Sequence, residues 1–407
     1  MSIEDGYWLL PEGIEEILPP TAWRLESLRR DLLDLYDVWG YELVIPPFVE
    51  FLDALLVGTG NDLELHTFKL TDQVSGRLMG VRADMTPQVT RIDAHHMPRE
   101  LPSRLCYIGT VLRTRSDGLG GSRSPLQVGA ELYGHSGYES DLEVLCLMLE
   151  TLALAGVRDV HLDLGHVAVF RGLVRQAGLT PRQEDTLFDA LQRKAVPEIR
   201  SLLAGYRLAD DEARRLLALA ELNGGAEVLE QAECELADAP EEVLAALENL
   251  HQLAAAVEHH WPGLPINFDL AELRGYRYHT GVVFAAYVPG VGQAIAKGGR
   301  YDDIGRAFGY ARPATGFSTD LRALLTAGAT ALEPRPRGAI YAPRADDPAL
   351  EALVAELRQR RERVIRALPG LEVEPRALGC DRILQLGEEG WTVRPLVAPS
   401  AAAEVSE

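Results

Sequence analysis

Apolar residues recur at helical and strand intervals along the first part of the chain. Between Ala22 and Trp39 they recur every three or four positions, which predicts a helix, and Gly40 is suited to end it. The apolar positions of this helix are Leu25, Leu28, Leu32, Leu35 and Tyr36. The segment YELVIPPFVEF that follows predicts a strand. From His66 to His135 the alternation has mostly a period of two, which predicts an antiparallel sheet with one polar side.

The pattern changes further along the chain. Residues 142–155 predict a helix, and the segment DVHLDLGH predicts a strand. From about Ala168 to Trp261 the chain is rich in Leu, Ala, Glu and Arg at helical spacing, which indicates a helical insertion. Strand patterns return in INFDL, HTGVVFAAYV and GQAIAKGGRYD. We therefore expect a sheet that is interrupted by helices and then completed.

These patterns divide the chain into five segments. A proline-rich linker, TALEPRPRG, separates the sheet from a small region with strand, helix and strand patterns. We predict a first part of the core at residues 1–167, a helical insertion at residues 168–261, a second part of the core at residues 262–328, a small C-terminal α/β region at residues 335–398, and a disordered tail at residues 399–407.

Composition narrows the class of protein. The 407 residues are 47% hydrophobic and carry a formal net charge of −21. Such a chain repels phosphate, so we expect no nucleic acid as a partner, and the basic run RQRRER favours a solvated helix face. No apolar run approaches the roughly 18 residues of a membrane span, and the amino terminus lacks a signal-peptide pattern. We therefore expect a cytoplasmic protein that does not bind a membrane.

The cysteines give no sign of a metal site. Cys106, Cys146, Cys234 and Cys380 are scattered without CxxC spacing. This distribution predicts neither a disulfide framework nor a zinc site. We expect no metal and no cofactor.

Polar residues on two predicted strands indicate a candidate pocket. The positions are Arg82, Asp84 and Thr86 on one strand, and Gln127, Gly129 and Glu131 on another. Within each set the spacing is i, i+2, i+4, so the side chains of a strand would share one face. Beside Arg113 and Arg274 they would present carboxylates to an ammonium or imidazolium group and arginines to a carboxylate or phosphate. Taken strand by strand, a polar sheet face exposed to water is the simpler interpretation.

Two glycine-rich segments also have two interpretations. SDGLGGSR fits a loop that holds phosphate through backbone amides, but it matches neither the P-loop nor the dinucleotide pattern, and a plain hairpin is simpler. KGGRYD equally fits a turn that ends a strand.

The order of several segments resembles the catalytic core of a histidyl-tRNA synthetase, a class II aminoacyl-tRNA synthetase. The segments are GYELVIPPFVEF, VRADMTPQ, YIGTVLRTRSDGLGGSRSPLQVGAELYG, LRGYRYHTGVVF, KGGRYDDI and PATGFSTDLRALL. The resemblance spans roughly residues 7–325, with the helical insertion in the expected place. It implies an α+β fold, with an antiparallel sheet flanked by helices, and dimerisation through the segment containing Gly40 to Pro47.

The resemblance also implies a histidine-binding site. Asp84 and Thr86 occupy positions where the family has Glu and Thr, Gln127 and Glu131 are identical to the family, and His279 stands where a tyrosine is usual. The full implied set is Asp84, Thr86, Arg113, Gln127, Glu131, Arg274, Tyr278 and His279.

The residues that the resemblance assigns to ATP are altered. Arg113 matches the arginine that grips the α-phosphate, but Arg115 replaces the acidic residue two positions further on. In the third motif the family's Gly-Leu-Glu-Arg reads Asp-Leu-Arg-Ala at residues 320–323, so an arginine is missing and a carboxylate is added. Because cations supply most of the stabilisation of developing charge in adenylation, we predict that the adenylation site is lost and that the chain is not an enzyme.

What remains resembles the regulatory subunits of ATP phosphoribosyltransferase, which act in the first step of histidine biosynthesis. This resemblance implies a non-catalytic subunit that partners a short-form ATP phosphoribosyltransferase catalytic subunit, forms a self-dimer and binds histidine as an effector. Two alternatives remain open: a divergent histidine-activating enzyme, and a purely structural partner with an inactive pocket.

Overall fold

The computed structural model describes residues 9–57, 61–116, 121–272, 278–328 and 338–396. Within the chain, residues 1–332 and 333–407 form two compact units. Several predictions concern residues outside the described ranges. They are the middle of the SDGLGGSR loop, the site residue Arg274, most of the proline-rich linker and the tail at residues 399–407.

Helices and strands alternate irregularly along the chain. The helices are α1 (Thr21–Val38), α2 (Leu52–Leu55), α3 (Asn61–His66), α4 (Thr86–His96), α5 (Tyr138–Leu154), α6 (Val167–Gln176), α7 (Pro181–Gln192), α8 (Val196–Tyr206), α9 (Asp210–Ala218), α10 (Glu227–Glu235), α11 (Glu241–His260), α12 (Leu321–Ala327) and α13 (Pro348–Gln359). The strands are β1 (Glu42–Leu43), β2 (Val49–Phe51), β3 (Phe68–Thr71), β4 (Leu78–Val81), β5 (Ser103–Thr110), β6 (Leu126–Tyr133), β7 (His161–His166), β8 (Asn223–Gly224), β9 (Ile266–Asp269), β10 (Val282–Tyr287), β11 (Ala296–Arg300), β12 (Ala314–Asp320), β13 (Ala339–Ala342), β14 (Val364–Arg366), β15 (Cys380–Gly387) and β16 (Gly390–Pro395).

The first unit is built on a large sheet. In the described ranges this sheet has nine strands in the order β1-β5-β6-β12-β11-β10-β7-β9-β8. Its pairings are antiparallel except that β1 runs parallel to β5 and β7 runs parallel to β9. Strands β9 to β12 follow the helical segment and join strands that precede it. The prediction of an antiparallel sheet that helices interrupt and flank is therefore confirmed.

Helices α1, α5, α6 and α11 contribute to the main core, together with one face of the large sheet. Helix α1 buries Leu28, Leu32 and Tyr36, as its periodicity predicts. It ends where Gly40 adopts a φ of 79°, and the Tyr41 N–H then donates to the Tyr36 carbonyl at 2.9 Å. Both the helix and its glycine terminus are confirmed, because the left-handed conformation after a helix favours glycine.

Two of the strand predictions are wrong. YELVIPPFVEF forms two short strands, β1 and β2, because Pro46 and Pro47 interrupt the backbone pairing between them. The region from His66 to His135 is not a continuous sheet, because helix α4 lies within it. Strand β4 ends at Val81, so Arg82, Asp84 and Thr86 do not share a strand face.

The second unit contains the strand, helix and strand predicted for the C-terminal region, namely β13, α13 and β14. A hairpin of β15 and β16 follows, and the sheet order is β14-β13-β15-β16. Helix α13 buries Leu350 and Val354 in a core shared with Ile340 and Leu384. In the described parts of both units, no helix is long and apolar enough to cross a membrane.

Candidate functional site

One face of the large sheet carries polar residues and glycines beside a second buried cluster, which includes Leu105, Tyr107 and Tyr133. Strand β6 alternates so that Val128 and Ala130 enter the core while Gln127, Gly129 and Glu131 share the opposite face, which confirms that prediction. The register aligns Glu131 with Gly316 on β12, and Gly316 in turn with Gly299 on β11. We call this surface the site face.

Glycines on the site face leave room that side chains would fill. A Cβ at Gly129 would lie 2.5 Å from the Tyr107 hydroxyl and from the Phe317 carbonyl oxygen. A Cβ at Gly316 would overlap the Glu131 carboxylate, and one at Gly299 would lie 3.0 Å from the His279 ring. The Tyr107 hydroxyl, the Glu131 carboxylate and the His279 ring can therefore keep these positions only because the three residues are glycines.

Glu131 lies at the centre of a hydroxyl network. It is 1% exposed, and it accepts hydrogen bonds from the hydroxyls of Tyr107 at 2.9 Å, Thr86 at 3.0 Å and Tyr301. Burial raises the pKa of this carboxyl to about 8, and the charge of Asp84 raises it too, although the three hydroxyl donors oppose the shift. A cation placed beside Glu131 would favour its ionised form.

A second network links the start of helix α4 to the site face. The Gln127 amide donates to Asp84 Oδ1 at 2.9 Å, and its oxygen accepts from the Met85 N–H at 2.9 Å. Asp84 Oδ1 also accepts from the Thr86 N–H at 3.0 Å, and Pro87 lies in the first turn of the helix. A helix start therefore brings Asp84 and Thr86 to Glu131, where the sequence predicted a strand.

A cavity of about 110 Å³ lies against these networks. Five of the predicted site residues line it: Asp84, Thr86, Glu131, Tyr278 and His279. The Tyr278 and His279 rings have centroids 4.2 Å apart, and the Tyr301 ring lies 6.4 Å beyond His279. Three carboxylates face this small cavity, namely Asp84, Glu131 and Glu272, so it suits a positively charged ligand group.

A larger cavity of about 1170 Å³ contains the other described site residues, Arg113 and Gln127. Arg113 Nε donates to the Ala83 carbonyl at 3.3 Å. The structure therefore divides the predicted set between two cavities, with the Gln127–Asp84 hydrogen bond between them. Lys297 and Ser318 line both cavities.

The altered residues of the third motif lie in the larger cavity. Asp320 accepts hydrogen bonds from the N–H groups of Leu126 and Arg322 at 3.1 and 3.0 Å, so it caps helix α12, and its burial raises its carboxyl pKa. Arg322 forms an ion pair with Glu15 at 2.9 Å. Ala323 also lines this cavity, without a charge. Asp320 thus has a structural role in the position where the resemblance expects glycine.

Sequence reasoning missed several residues of the smaller cavity. They are Tyr107, Glu272, Lys297, Tyr301 and Ser318, of which Tyr107 contacts Glu131 and the others line the cavity wall. Tyr301 and Lys297 belong to the segment KGGRYD. Its two glycines could have indicated a binding site, since glycine inside a strand often marks a position where a ligand or another backbone approaches closely. In the described ranges, no group of three or more His, Cys, Asp or Glu side chains is arranged to hold a metal ion.

Comparison with known proteins first defines the class. Residues 13–324 match the histidyl-tRNA synthetase family. The histidyl-tRNA synthetase of Nostoc sp. PCC 7120 has the same fold, with a TM-score of 0.74 at 18% identity, over 94% of this chain and 92% of that chain. The chain is thus built as a class II histidyl-tRNA synthetase-like protein.

Two further comparisons define the family within that class. An ATP phosphoribosyltransferase regulatory subunit from Thioalkalivibrio sulfidiphilus is 60% identical over 97% of this chain and 100% of its own length. A structure from Bacillus halodurans, described as an ATP phosphoribosyltransferase regulatory subunit/histidyl-tRNA synthetase, has a TM-score of 0.81 at 26% identity, over 92% of this chain and 97% of that chain. Residues 337–394 match the ATP phosphoribosyltransferase subunit HisZ C-terminal domain. The chain belongs to the family of ATP phosphoribosyltransferase regulatory subunits.

Proposed function

We propose that this chain is the non-catalytic regulatory subunit of an ATP phosphoribosyltransferase and acts in the cytoplasm, in the first step of histidine biosynthesis. It assembles with a short-form catalytic subunit and binds histidine as the feedback effector. The observation that carries the proposal is the 60% identity to a regulatory subunit along essentially the whole chain. The match to the HisZ C-terminal domain supports it, because a synthetase core alone would not supply that region.

The smaller cavity supports histidine as the effector. An imidazole and an ammonium group both carry N–H donors, and Asp84, Glu131 and Glu272 supply acceptors for them. The hydroxyls of Tyr107, Thr86 and Tyr301 fix the Glu131 carboxylate in one orientation. This rigidity favours selection of a ligand by the direction of its donors.

The larger cavity supports the absence of adenylation. Ala323 supplies no cation, Arg322 is paired with Glu15, and Asp320 adds a carboxylate. Loss of one charge-assisted contact costs roughly 1.5 to 3 kcal/mol, and a carboxylate close to the phosphates adds repulsion. A divergent histidine-activating enzyme would have to compensate for both effects.

Self-dimerisation is part of the proposal. Ile45 is 83% exposed and lies between the exposed Leu43 and Phe48. An apolar group of this kind beside the edge strand β1 fits an interface between two copies of the chain.

Two experiments test the proposal. In size-exclusion chromatography with light scattering, we expect the purified chain and a short-form catalytic subunit to elute as one complex, and separate elution at micromolar concentration would contradict the assembly. In a pyrophosphate-exchange assay with histidine and magnesium-ATP, we expect no histidine-dependent exchange. Exchange at the rate of an authentic synthetase measured alongside would instead establish the alternative, a histidine-activating enzyme.

A further inference from the structure

Lys297 occupies an unusual place among the lysines of this chain. The sequence contains three lysines, Lys69, Lys194 and Lys297. Lys69 pairs with Glu64 at 2.7 Å, and Lys194 pairs with Asp269 at 2.8 Å. In the described parts of the chain, Lys297 makes neither a hydrogen bond nor an ion pair, although it lines both cavities.

The register places Lys297 on the site face. Its partners across the sheet are Ser318 on β12 and Ala285 on β10. Ser318 is opposite Gly129, which shares its face with Glu131. From Glu131, the position of Lys297 is two strands across and two residues along the sheet. With strands ~4.8 Å apart and residues ~3.4 Å apart along a strand, the two backbone positions are ~12 Å apart.

The charges near Glu131 and near Lys297 are opposite in sign. Among the described residues that line the smaller cavity, Lys297 is the one Lys or Arg side chain, and the acidic groups are the carboxyls of Asp84, Glu131 and Glu272. Burial raises the pKa of the Glu131 carboxyl, and a cationic ligand group beside it favours its ionised form. The Glu131 and Lys297 side chains extend from the same face of the sheet, and both line the smaller cavity. An ammonium group without a counterion at one end, and carboxylates at the other, are complementary to a zwitterion of amino-acid size.

We propose that Lys297 binds the α-carboxylate of the free amino acid held in the smaller cavity and thereby selects ligands that carry this group. The inference rests on the proposed histidine site and adds a specificity-determining residue to it. The imidazole and ammonium groups of the ligand face the carboxylates, and its carboxylate faces Lys297, which lines both cavities. Histidine derivatives that lack a free carboxylate are therefore poor ligands.

Lysine chemistry suits this position. An ammonium group is compact, and its flexible stem lets it approach a carboxylate from a strand, whereas a guanidinium group is planar and broader. Arg113 also lines the larger cavity, but its Nε donates to the Ala83 carbonyl. Arg113 follows strand β5, and Lys297 lies on β11, so strand β6 with Gln127 lies between β5 and β11 in the sheet. Among the described residues, Lys297 on strand β11 is therefore the cation that lines the smaller cavity and can make this contact.

The test is a cycle of two ligands and three proteins, measured by calorimetry. The ligands are histidine and histamine, which lacks the carboxylate, and the proteins are the parent chain, Lys297→Met and the control Lys69→Met. We expect the parent and the control to bind histidine about 10- to 100-fold more tightly than histamine, as for a charge-assisted contact. In Lys297→Met this preference falls to within about threefold, while histamine affinity stays nearly unchanged.

Each result decides between the proposals. If Lys297→Met keeps the full preference for histidine, the assignment of Lys297 is wrong while the histidine site stands. If the parent binds neither ligand, the histidine site itself is refuted and the assignment falls with it. Lys297→Arg serves as a further readout, because a retained cation should restore most of the preference. Thermal melting of each variant verifies that the chain is folded.

Discussion

The Glu131 carboxylate lies directly over Gly316 of the neighbouring strand, in the space that a Cβ at position 316 would occupy. Any displacement of the Glu131 carboxylate would break hydrogen bonds, because three hydroxyls donate to its two oxygens. The carboxylate position thus depends on the absence of a side chain in a residue 185 positions further along the chain, from 131 to 316.

This relationship predicts that Gly316→Ala disrupts the site. The added methyl group must displace Glu131 or shift strand β12, and either change breaks the hydroxyl network. We expect histidine affinity to fall at least about tenfold, and unfolding free energy to fall by about 1 to 3 kcal/mol, as for overpacking. Calorimetry and denaturant titration measure the two effects.

Gly205→Ala is the matched control. Gly205 lies in helix α8, and a Cβ there meets nothing within 4 Å. Since alanine is the better helix former, this variant should gain up to about 1 kcal/mol and bind histidine normally. Equal effects of the two variants would show that the overlap with Glu131 is not what constrains Gly316.

The pKa of Glu131 predicts a pH dependence of stability. Burial raises this pKa from 4.5 to about 8, so between these values the folded chain holds a proton that the unfolded chain releases. The carboxyl therefore stabilises the fold most at low pH, and this contribution declines as the pH rises from about 4.5 to 8, by at most ~1.4 kcal/mol per pH unit. Glutamine does not titrate, so the stability of the parent relative to Glu131→Gln should fall over this range.

Denaturant titrations at pH 5, 6.5 and 8 measure this difference. The exposed Glu230 provides the control Glu230→Gln, whose stability should follow that of the parent at all three pH values. Parallel pH profiles for the parent and Glu131→Gln would mean that Glu131 is ionised in the folded chain over this range and that burial does not raise its pKa.

A buried ion pair predicts a large loss of stability. Arg312 forms two hydrogen bonds to Asp93, at 2.6 and 2.9 Å, and both side chains are buried. Arg312→Ala leaves the Asp93 carboxylate buried without its cation, which should cost about 3 to 5 kcal/mol. The exposed pair of Arg306 and Asp303 gives the control, because Arg306→Ala should cost at most about 1 kcal/mol. Denaturant midpoints that shift equally would refute this ranking.

The proposed dimer predicts a change of mass on substitution of Ile45. A glutamate at this exposed apolar position would place charges in the interface, so Ile45→Glu should convert a dimer into a monomer, as measured by sedimentation equilibrium. Leu244→Glu on helix α11 is the control and should remain dimeric, since Leu244 is also partly exposed but lies on the helical segment. A dimer that survives Ile45→Glu would place the interface elsewhere.

Local patterns were enough for much of the fold and for part of the site. The face shared by Gln127 and Glu131 follows from the period of two alone, whatever the partner strands. The start of α4 was missed because the alternation of Arg82, Asp84 and Thr86 imitates a strand. The turn made by Asp84 and the proline at 87, which ends that strand and begins a helix, was the stronger signal.

The rest of the site depends on pairing between distant strands. Gly316 and Ser318 reach the site face only through the register of β12 with β6, which local periodicity does not determine. Lys297 depends on the next pairing, between β11 and β12. The resemblance implied a set of histidine-binding residues, but the separation of Arg113 from Glu131 into different cavities required the three-dimensional arrangement.

We propose that histidine bound to this chain controls an active site on another chain, and an activity assay of the complex measures this control. Linkage requires histidine to bind two states of the complex unequally, and a coupling of roughly 1 to 3 kcal/mol gives feedback of about 5- to 150-fold. Phosphoribosyl-ATP formation by a purified short-form catalytic subunit is followed with and without this chain, and with and without histidine. We predict that adding the chain raises the activity and makes it inhibitable by histidine. A catalytic subunit that is equally active and equally inhibited when alone would show that this chain does not regulate it.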